Sequence, residues 1–286
     1  MMRETKPLSN KKSMPLKTSN SLMFSIQRAL IVSFAIFFLA GCASRPWTEP
    51  LGGKEADSVT QLIDVLADRN ATCSGTLESD IDLFYETPLE KKAFSGFLQY
   101  SMPSSYKFVM TNPFGQPVLV VAGDQESFQA INTLQRNYLS GSIRSFGLRS
   151  NIPGYFLKSS WGPLLTGRNQ LSSEAITKIR SDRDSRGIWL TFQNENGRGV
   201  QHLLLDDDQE IFLVRVLENE NGLTVAEITY ANWETLGQCK QPKEINITGL
   251  DYGTEIRIKL SNILVSDEKK TYRLQIPAGY AQHHMP

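Results

Sequence analysis

A period of two in the placement of apolar residues, running from about Thr72 to Ile276, is what most restricts the folds open to this chain. Successive strand side chains point to opposite faces, so such alternation marks strands buried on one side. Leu77, Ser79, Ile81 and Leu83 alternate with Glu78, Asp80 and Asp82. Phe94 to Tyr100 continues the pattern, as do Tyr106, Phe108 and Met110. Val118 to Ala122 is a continuous apolar run closed by a Gly123-Asp124 turn, and Phe128 to Ile131 and Gln135 to Leu139 read as shorter strands. Ile188, Leu190 and Phe192 alternate again; Val200 to Leu205 and Ile211 to Leu217 flank an Asp206-Asp207-Asp208 turn. Asn221-Gly222 is a strong hairpin signal ahead of Leu223 to Tyr230. Glu244 to Ile247, Thr254 to Leu260 and Thr271 to Ile276 complete about a dozen strands. Turn residues recur at the spacing of an antiparallel meander.

Helices are few. From Lys54 to Arg69, Val59, Leu62, Ile63, Leu66 and Ala67 form one apolar stripe at helical spacing. Ala175 to Ile179 suits a helix or a strand. The stretch from Ser142 to Gly167 breaks the alternation and is rich in large apolar residues, among them Ile143, Phe146, Tyr155, Phe156 and Trp161. Asn151 can cap a short helix with Pro153 near its first position, and Gly162-Pro163 ends or kinks it. Many antiparallel strands curl, and a curled sheet needs its concave face covered. This apolar segment is the natural cover. The expected fold is mainly β with a few helices: an incomplete antiparallel β-barrel with a helical lid or plug.

The N-terminus is different. A long basic stretch precedes an apolar run from Ala29 to Ala40, the layout of an export signal. The run is about half the ~20 residues that a membrane-spanning helix needs. It ends in Leu39-Ala40-Gly41-Cys42, which resembles the lipobox of bacterial lipoproteins. That resemblance implies cleavage before Cys42 and a lipid (diacylglycerol, with palmitate-type acyl chains) on its thiol. Met14 and Met23 are alternative starts. Residues 1–41 then form a signal peptide, 42–53 a flexible tether with two prolines and two glycines, and 54–286 the folded domain. Ala43 after the cysteine, rather than Asp, implies by the sorting rule of such lipoproteins an outer-membrane anchor, facing the periplasm.

The whole chain carries 30 basic and 30 acidic side chains. Removing the signal leaves 24 against 29, a mildly acidic protein that is a poor partner for nucleic acid. Besides Cys42 there are only Cys73 and Cys239. In an oxidising compartment they can bridge, or remain two free thiols.

Nothing points to catalysis. Histidine occurs at His202, inside a strand pattern, and at His283-His284 in the tail. No converging ligand spacing suggests a metal, no glycine loop a nucleotide, and no nucleophile elbow a hydrolase. The three aspartates from Asp206 lack calcium-loop spacing. The expectation is a binding protein without enzyme activity, cofactor or metal.

Ser105-Tyr106-Lys107-Phe108, then Asn112-Pro113-Phe114-Gly115-Gln116 and an apolar strand up to Gly123, resemble the outer-membrane lipoprotein receptor family LolB. Ile152-Pro153 and Tyr155 to Gly167 resemble its short-helix lid. Leu274 to Gly279 is similar to the end of the LolA/LolB fold in general. The resemblance covers about residues 72–280, with extra strands after Val200, and is closest to LolB-like lipoproteins without established transfer activity. It implies that the domain shelters acyl chains of lipoproteins or another lipid, that a periplasmic LolA-like carrier is a partner, and that Phe114, in place of the family's loop leucine, touches the bilayer. Phe108, Leu119, Val121, Phe128, Phe156 and Trp161 are the cavity and lid candidates. A non-catalytic docking lipoprotein of an envelope assembly is the alternative.

Overall fold

The computed structural model describes residues 45–73, 75–145, 161–168, 172–193, 199–250 and 253–285. Residues 46–286 form one compact unit. It holds the sheet, the four apolar clusters found among the described residues and the disulfide, so it carries its own core, as a domain able to fold alone does.

Among the described residues fifteen strands make one sheet. In chain order they are β1 (Trp47–Pro50), β2 (Thr76–Glu86), β3 (Lys91–Ser101), β4 (Ser105–Thr111), β5 (Pro117–Gly123), β6 (Ser127–Asn132), β7 (Asn137–Ser142), β8 (Ile176–Asp182), β9 (Ile188–Gln193), β10 (Val200–Asp206), β11 (Ile211–Glu218), β12 (Thr224–Leu236), β13 (Cys239–Leu250), β14 (Thr254–Ser266) and β15 (Ala281–Met285). Two antiparallel meanders, β2 to β7 and β8 to β14, are joined where β14 pairs with β2, Ile258 opposite Leu83 and Leu260 opposite Ile81. β1 and β15 are the two edges, and the sheet does not close. The expected mainly β, unclosed antiparallel architecture is the one observed.

One face carries the helices. Helix α1 (Gly53–Thr72) buries Val59, Ile63 and Leu66 against Leu190, Phe192, Leu203, Leu205 and Phe212. Its stripe has the 3.6-residue period that one-sided packing demands. Arg69 in its last turn pairs with Glu210 in the β10–β11 turn, fixing that end. Helix α2 (Trp161–Thr166) buries Leu164 and Leu165 in the main cluster, among Leu77, Leu98, Tyr100, Ile228 and Ile245. On the opposite face Trp47, Trp189, Leu204, Val214 and Val216 form a separate cluster.

The structure differs from the sequence reading in three places. Within the proline- and glycine-rich stretch read as a tether, Trp47–Pro50 is an edge strand paired with β8. The buried Trp47 indole packs edge-on against Trp189 at 5.3 Å between centroids, and Pro50, which has no amide hydrogen to offer, is tolerated on an edge. Thr271 to Ile276, read as a strand, is instead an irregular strap. It crosses the helix-free face of the β2–β7 meander, where Lys270 N donates to Ser101 Oγ, Tyr272 N to Ser105 Oγ and Leu274 N to Gln129 Oε1. These side chains satisfy its amides in place of a ladder. The histidine-containing tail then adds β15 in parallel to β7, so that His283 stands opposite Leu139.

Candidate functional site

The helix-bearing face continues beyond α2 over β3 to β7 as a strip of apolar side chains, termed the trough. Its rows follow from the register: Leu98, Phe108, Val121, Ala130 and Leu139 stand side by side, with Met110 and Leu119 in the next row. Leu98 is buried, whereas Phe108, Met110, Leu119, Val121, Ala130 and Leu139 are half-buried. This contrasts with the β10–β13 half, where Leu203, Leu217, Ile228 and Ile245 have no exposure. One half of the face is therefore filled by protein, and the other keeps hydrocarbon-like surface accessible.

Gly96 lies in this face between Ile81 and Met110, and a Cβ there would collide with the backbone of Val109. The chain thus approaches its neighbour more closely than a side chain would allow. Gly162 does the same for α2. A Cβ at that position would meet the Tyr100 ring, so glycine lets the helix settle on Tyr100, whose hydroxyl donates to the Pro103 carbonyl.

The plug is held by polar groups that sequence reasoning did not single out. Arg168, just past α2, is buried, and it donates from Nε to Lys240 O at 3.1 Å, from Nη1 to Cys73 O at 3.3 Å and from Nη2 to Gln241 Oε1 at 3.5 Å. Burial pulls its pKa down to about 10, opposed by nearby Tyr100, so it stays cationic at neutral pH. Gln241 donates to Leu165 O at 2.8 Å. Cys73, at the end of α1, and Cys239, at the start of β13, are joined in a disulfide with Cα atoms 5.8 Å apart. A buried arginine and glutamine in a β-rich chain carry no periodic signal, which is why sequence pattern misses them. Among the described residues, Ser79 Oγ and Trp233 Nε1 are buried with no hydrogen-bond partner. Ser79 lies on the trough side of β2, two residues from Leu77 and Ile81. In an apolar surrounding its hydroxyl is a ready donor for a carbonyl.

The structure brings Phe108, Leu119, Val121 and Phe128 onto one face: Phe108 stands opposite Val121, and Phe128 opposite Gly123. Phe128 is buried between Ile143 and Met285, so it closes the trough's end and does not line it. Phe114 is 89% exposed at the tip of the β4–β5 hairpin. Asn112 shapes that tip: its Oδ1 accepts from Phe114 N and Gln116 N, each at 3.0 Å, and Gly115 takes φ +77°. Cys42 and Phe156 lie outside the described residues, as does the short helix expected at Asn151; of Trp161 only the backbone, which opens α2, is described. His202 is buried on the other face, with Nδ1 3.0 Å from Thr191 Oγ1, Nε2 3.4 Å from Glu218 and its ring 4.4 Å from that of Trp47.

A hollow of about 550 Å³ opens between the strap and β6–β7. Asp124, Glu126, Arg273 and His284 line it together with Phe128, Tyr272 and Met285, so charged and apolar groups share its wall. Among the described residues no group of three potential ligands could hold a metal ion, and no helix is long and apolar enough to cross a membrane.

The structure is thus an open, mostly antiparallel sheet with one half of a face covered by helices. Among solved structures, a DUF1329 family protein from Desulfovibrio piger shares this fold, with TM-score 0.53 and 11% identity over 77% of this chain and 94% of its own. An outer membrane lipoprotein-sorting protein domain from Vibrio parahaemolyticus matches at TM-score 0.48 and 10% identity, covering 71% of this chain and 92% of its own. A LolA superfamily protein from Nitrosomonas europaea matches at TM-score 0.47 and 9% identity, covering 72% and 94%. No family model matches the chain, and neither does any curated relative.

Proposed function

We propose that this protein is a lipid-anchored, periplasm-facing outer-membrane protein that shelters acyl chains of lipoproteins or another lipid on the open half of its sheet. The observation that carries the reading is the row of half-buried Phe108, Val121, Ala130 and Leu139 beside the buried plug Leu164 and Leu165. Each CH₂ withdrawn from water contributes ~0.8 kcal/mol, so an acyl chain of ordinary length has a strong drive to occupy such a row. Ser79 offers the donor that a hydrocarbon surface lacks. Lipoprotein-sorting and LolA superfamily proteins among the structural matches support the same reading. In it Cys42 carries the lipid, Phe114 meets the bilayer during delivery, and a LolA-like carrier supplies the cargo.

The test is native mass spectrometry and lipid extraction of residues 46–286 after purification from an exporting bacterium. A co-purifying lipid, displaced by added fatty acid, is the expected result. A protein that brings nothing hydrophobic with it and binds no fluorescent fatty acid overturns the reading and leaves a tethered docking platform. Lipidation is tested separately: Cys42→Ala in the full chain abolishes labelling by radioactive palmitate.

A further inference from the structure

The two ends of the sheet differ in the chemistry of their turns. Because neighbouring strands alternate in direction, β2, β4, β6, β9, β11 and β13 finish at one end of the sheet, and β3, β5, β8, β10 and β12 at the other. At the first end Leu89 is 98% exposed, Phe114 89%, Leu134 78% and Leu223 63%. The first three are the most exposed large apolar side chains among the described residues. At the other end the turns carry Asp124-Gln125-Glu126, Arg183 to Gly187, Asp207 to Glu210 and Gly237-Gln238, while Met102 is tucked against the core.

Leu89, Phe114 and Leu134 sit on successive hairpins of one meander. Tips two strands apart are about 10 Å from each other, so the three span roughly 20 Å. A protein partner needs a continuous face of several hundred Å², which three separated side chains do not make. Lipid closes around each one individually. Each tip also pairs its own backbone amides, as the turns at the other end do through Asp124, Asp182 and Asp206. Thr87 Oγ1 accepts from Glu90 N at 3.0 Å, Asn112 Oδ1 from Phe114 N and Gln116 N, and Asn132 Oδ1 from Gln135 N at 3.0 Å. Lys91 pairs with Glu86, and Lys92 with Glu90 at 2.6 Å, so the charges flanking Leu89 balance.

We propose that Leu89, Phe114 and Leu134 form a rim that enters the surface of an uncharged bilayer, setting the trough's end against the lipid. The inference rests on reading Phe114 as a bilayer contact and extends it to two further hairpins. With Cys73 and Cys239 paired, residues 46–286 accept one dye at one new thiol. Leu89→Cys, Phe114→Cys, Leu134→Cys and, as control, Leu264→Cys are labelled with a polarity-sensitive fluorophore and mixed with phosphatidylcholine vesicles. Leu264 is 68% exposed but lies on β14, away from the tips. Dyes at 89, 114 and 134 shift to the blue, the dye at 264 does not, and high salt leaves the shifts in place. Leu89→Ser and Leu134→Ser each weaken vesicle partition about tenfold. A shift at 114 alone overturns the rim and leaves the Phe114 reading standing. Silence at every tip overturns both, and labels that answer to an added protein but not to vesicles overturn the rim in favour of a protein partner.

Discussion

The side-chain amide of Gln241, on β13, donates to the backbone carbonyl of Leu165 in α2 at 2.8 Å, so that a strand residue with no exposure holds the plug against the sheet. Its carbonyl oxygen also accepts from Arg168. Gln241→Ala leaves a buried carbonyl and part of a buried guanidinium unpaired. The expected loss is about 2–3 kcal/mol of unfolding free energy, read from the urea midpoint of residues 46–286. An unchanged midpoint removes Gln241 from the plug's support.

The bond between Cys73 and Cys239 spans a sequence separation of 166. Closing so long a loop restricts the unfolded chain, and the chain-entropy argument puts the stabilisation at about 5 kcal/mol. Residues 46–286 should show no free thiol before reduction and two after it. Cys73→Ser with Cys239→Ser should lower thermal stability sharply. Two reactive thiols in the unreduced protein would contradict the pairing.

Asp182 makes folding sensitive to acid. Burial pushes its carboxyl pKa up, but hydrogen bonds from the Arg186 and Trp189 side chains and the Arg186 amide outweigh that and hold it at about 2, below the ordinary 3.8. A carboxylate with a depressed folded pKa contributes stability above its unfolded pKa and loses it as pH falls toward the folded value. About 1–2 kcal/mol is thus present at pH 5 and disappears between pH 4 and 2, a figure reduced because Arg186 is partly exposed. The stability gap between the wild type and Asp182→Asn should narrow over that window. A gap that is constant from pH 5 to 2 counts against this role.

Two substitutions separate holding lipid from delivering it. Val121→Glu puts a charge into the half-buried row beside Phe108 and should weaken fluorescent fatty-acid binding at least tenfold, since hydrocarbon next to an ionised carboxylate is strongly disfavoured. Phe114→Glu, at an exposed tip, should leave that binding and the circular dichroism unchanged but slow transfer to vesicles. Wild-type transfer by Phe114→Glu excludes that side chain from delivery.

Most of the strands were legible one by one, because a half-buried strand must repeat every two residues: Leu77 to Leu83 and Tyr106 to Met110 show it in the bare sequence. The α1 stripe was legible for the same reason at helical period, whereas the candidates Phe108, Leu119, Val121 and Phe114 came from the family resemblance. The pattern is silent on long-range partnership. That β14 meets β2 and joins two meanders into one sheet, and that Cys239 reaches Cys73, depends on which exposed edges and apolar faces find each other once the chain collapses. Burial of Arg168 and Gln241 was hidden for a related reason, since polar residues enter a core only where specific tertiary acceptors await them. The short Trp47–Pro50 and Ala281–Met285 strands exist because β8 and β7 leave edges to be paired. Local periodicity by itself thus determined what the pieces are; only three-dimensional contact decided how they join, which half of the sheet is filled and which side chains are left at its rim.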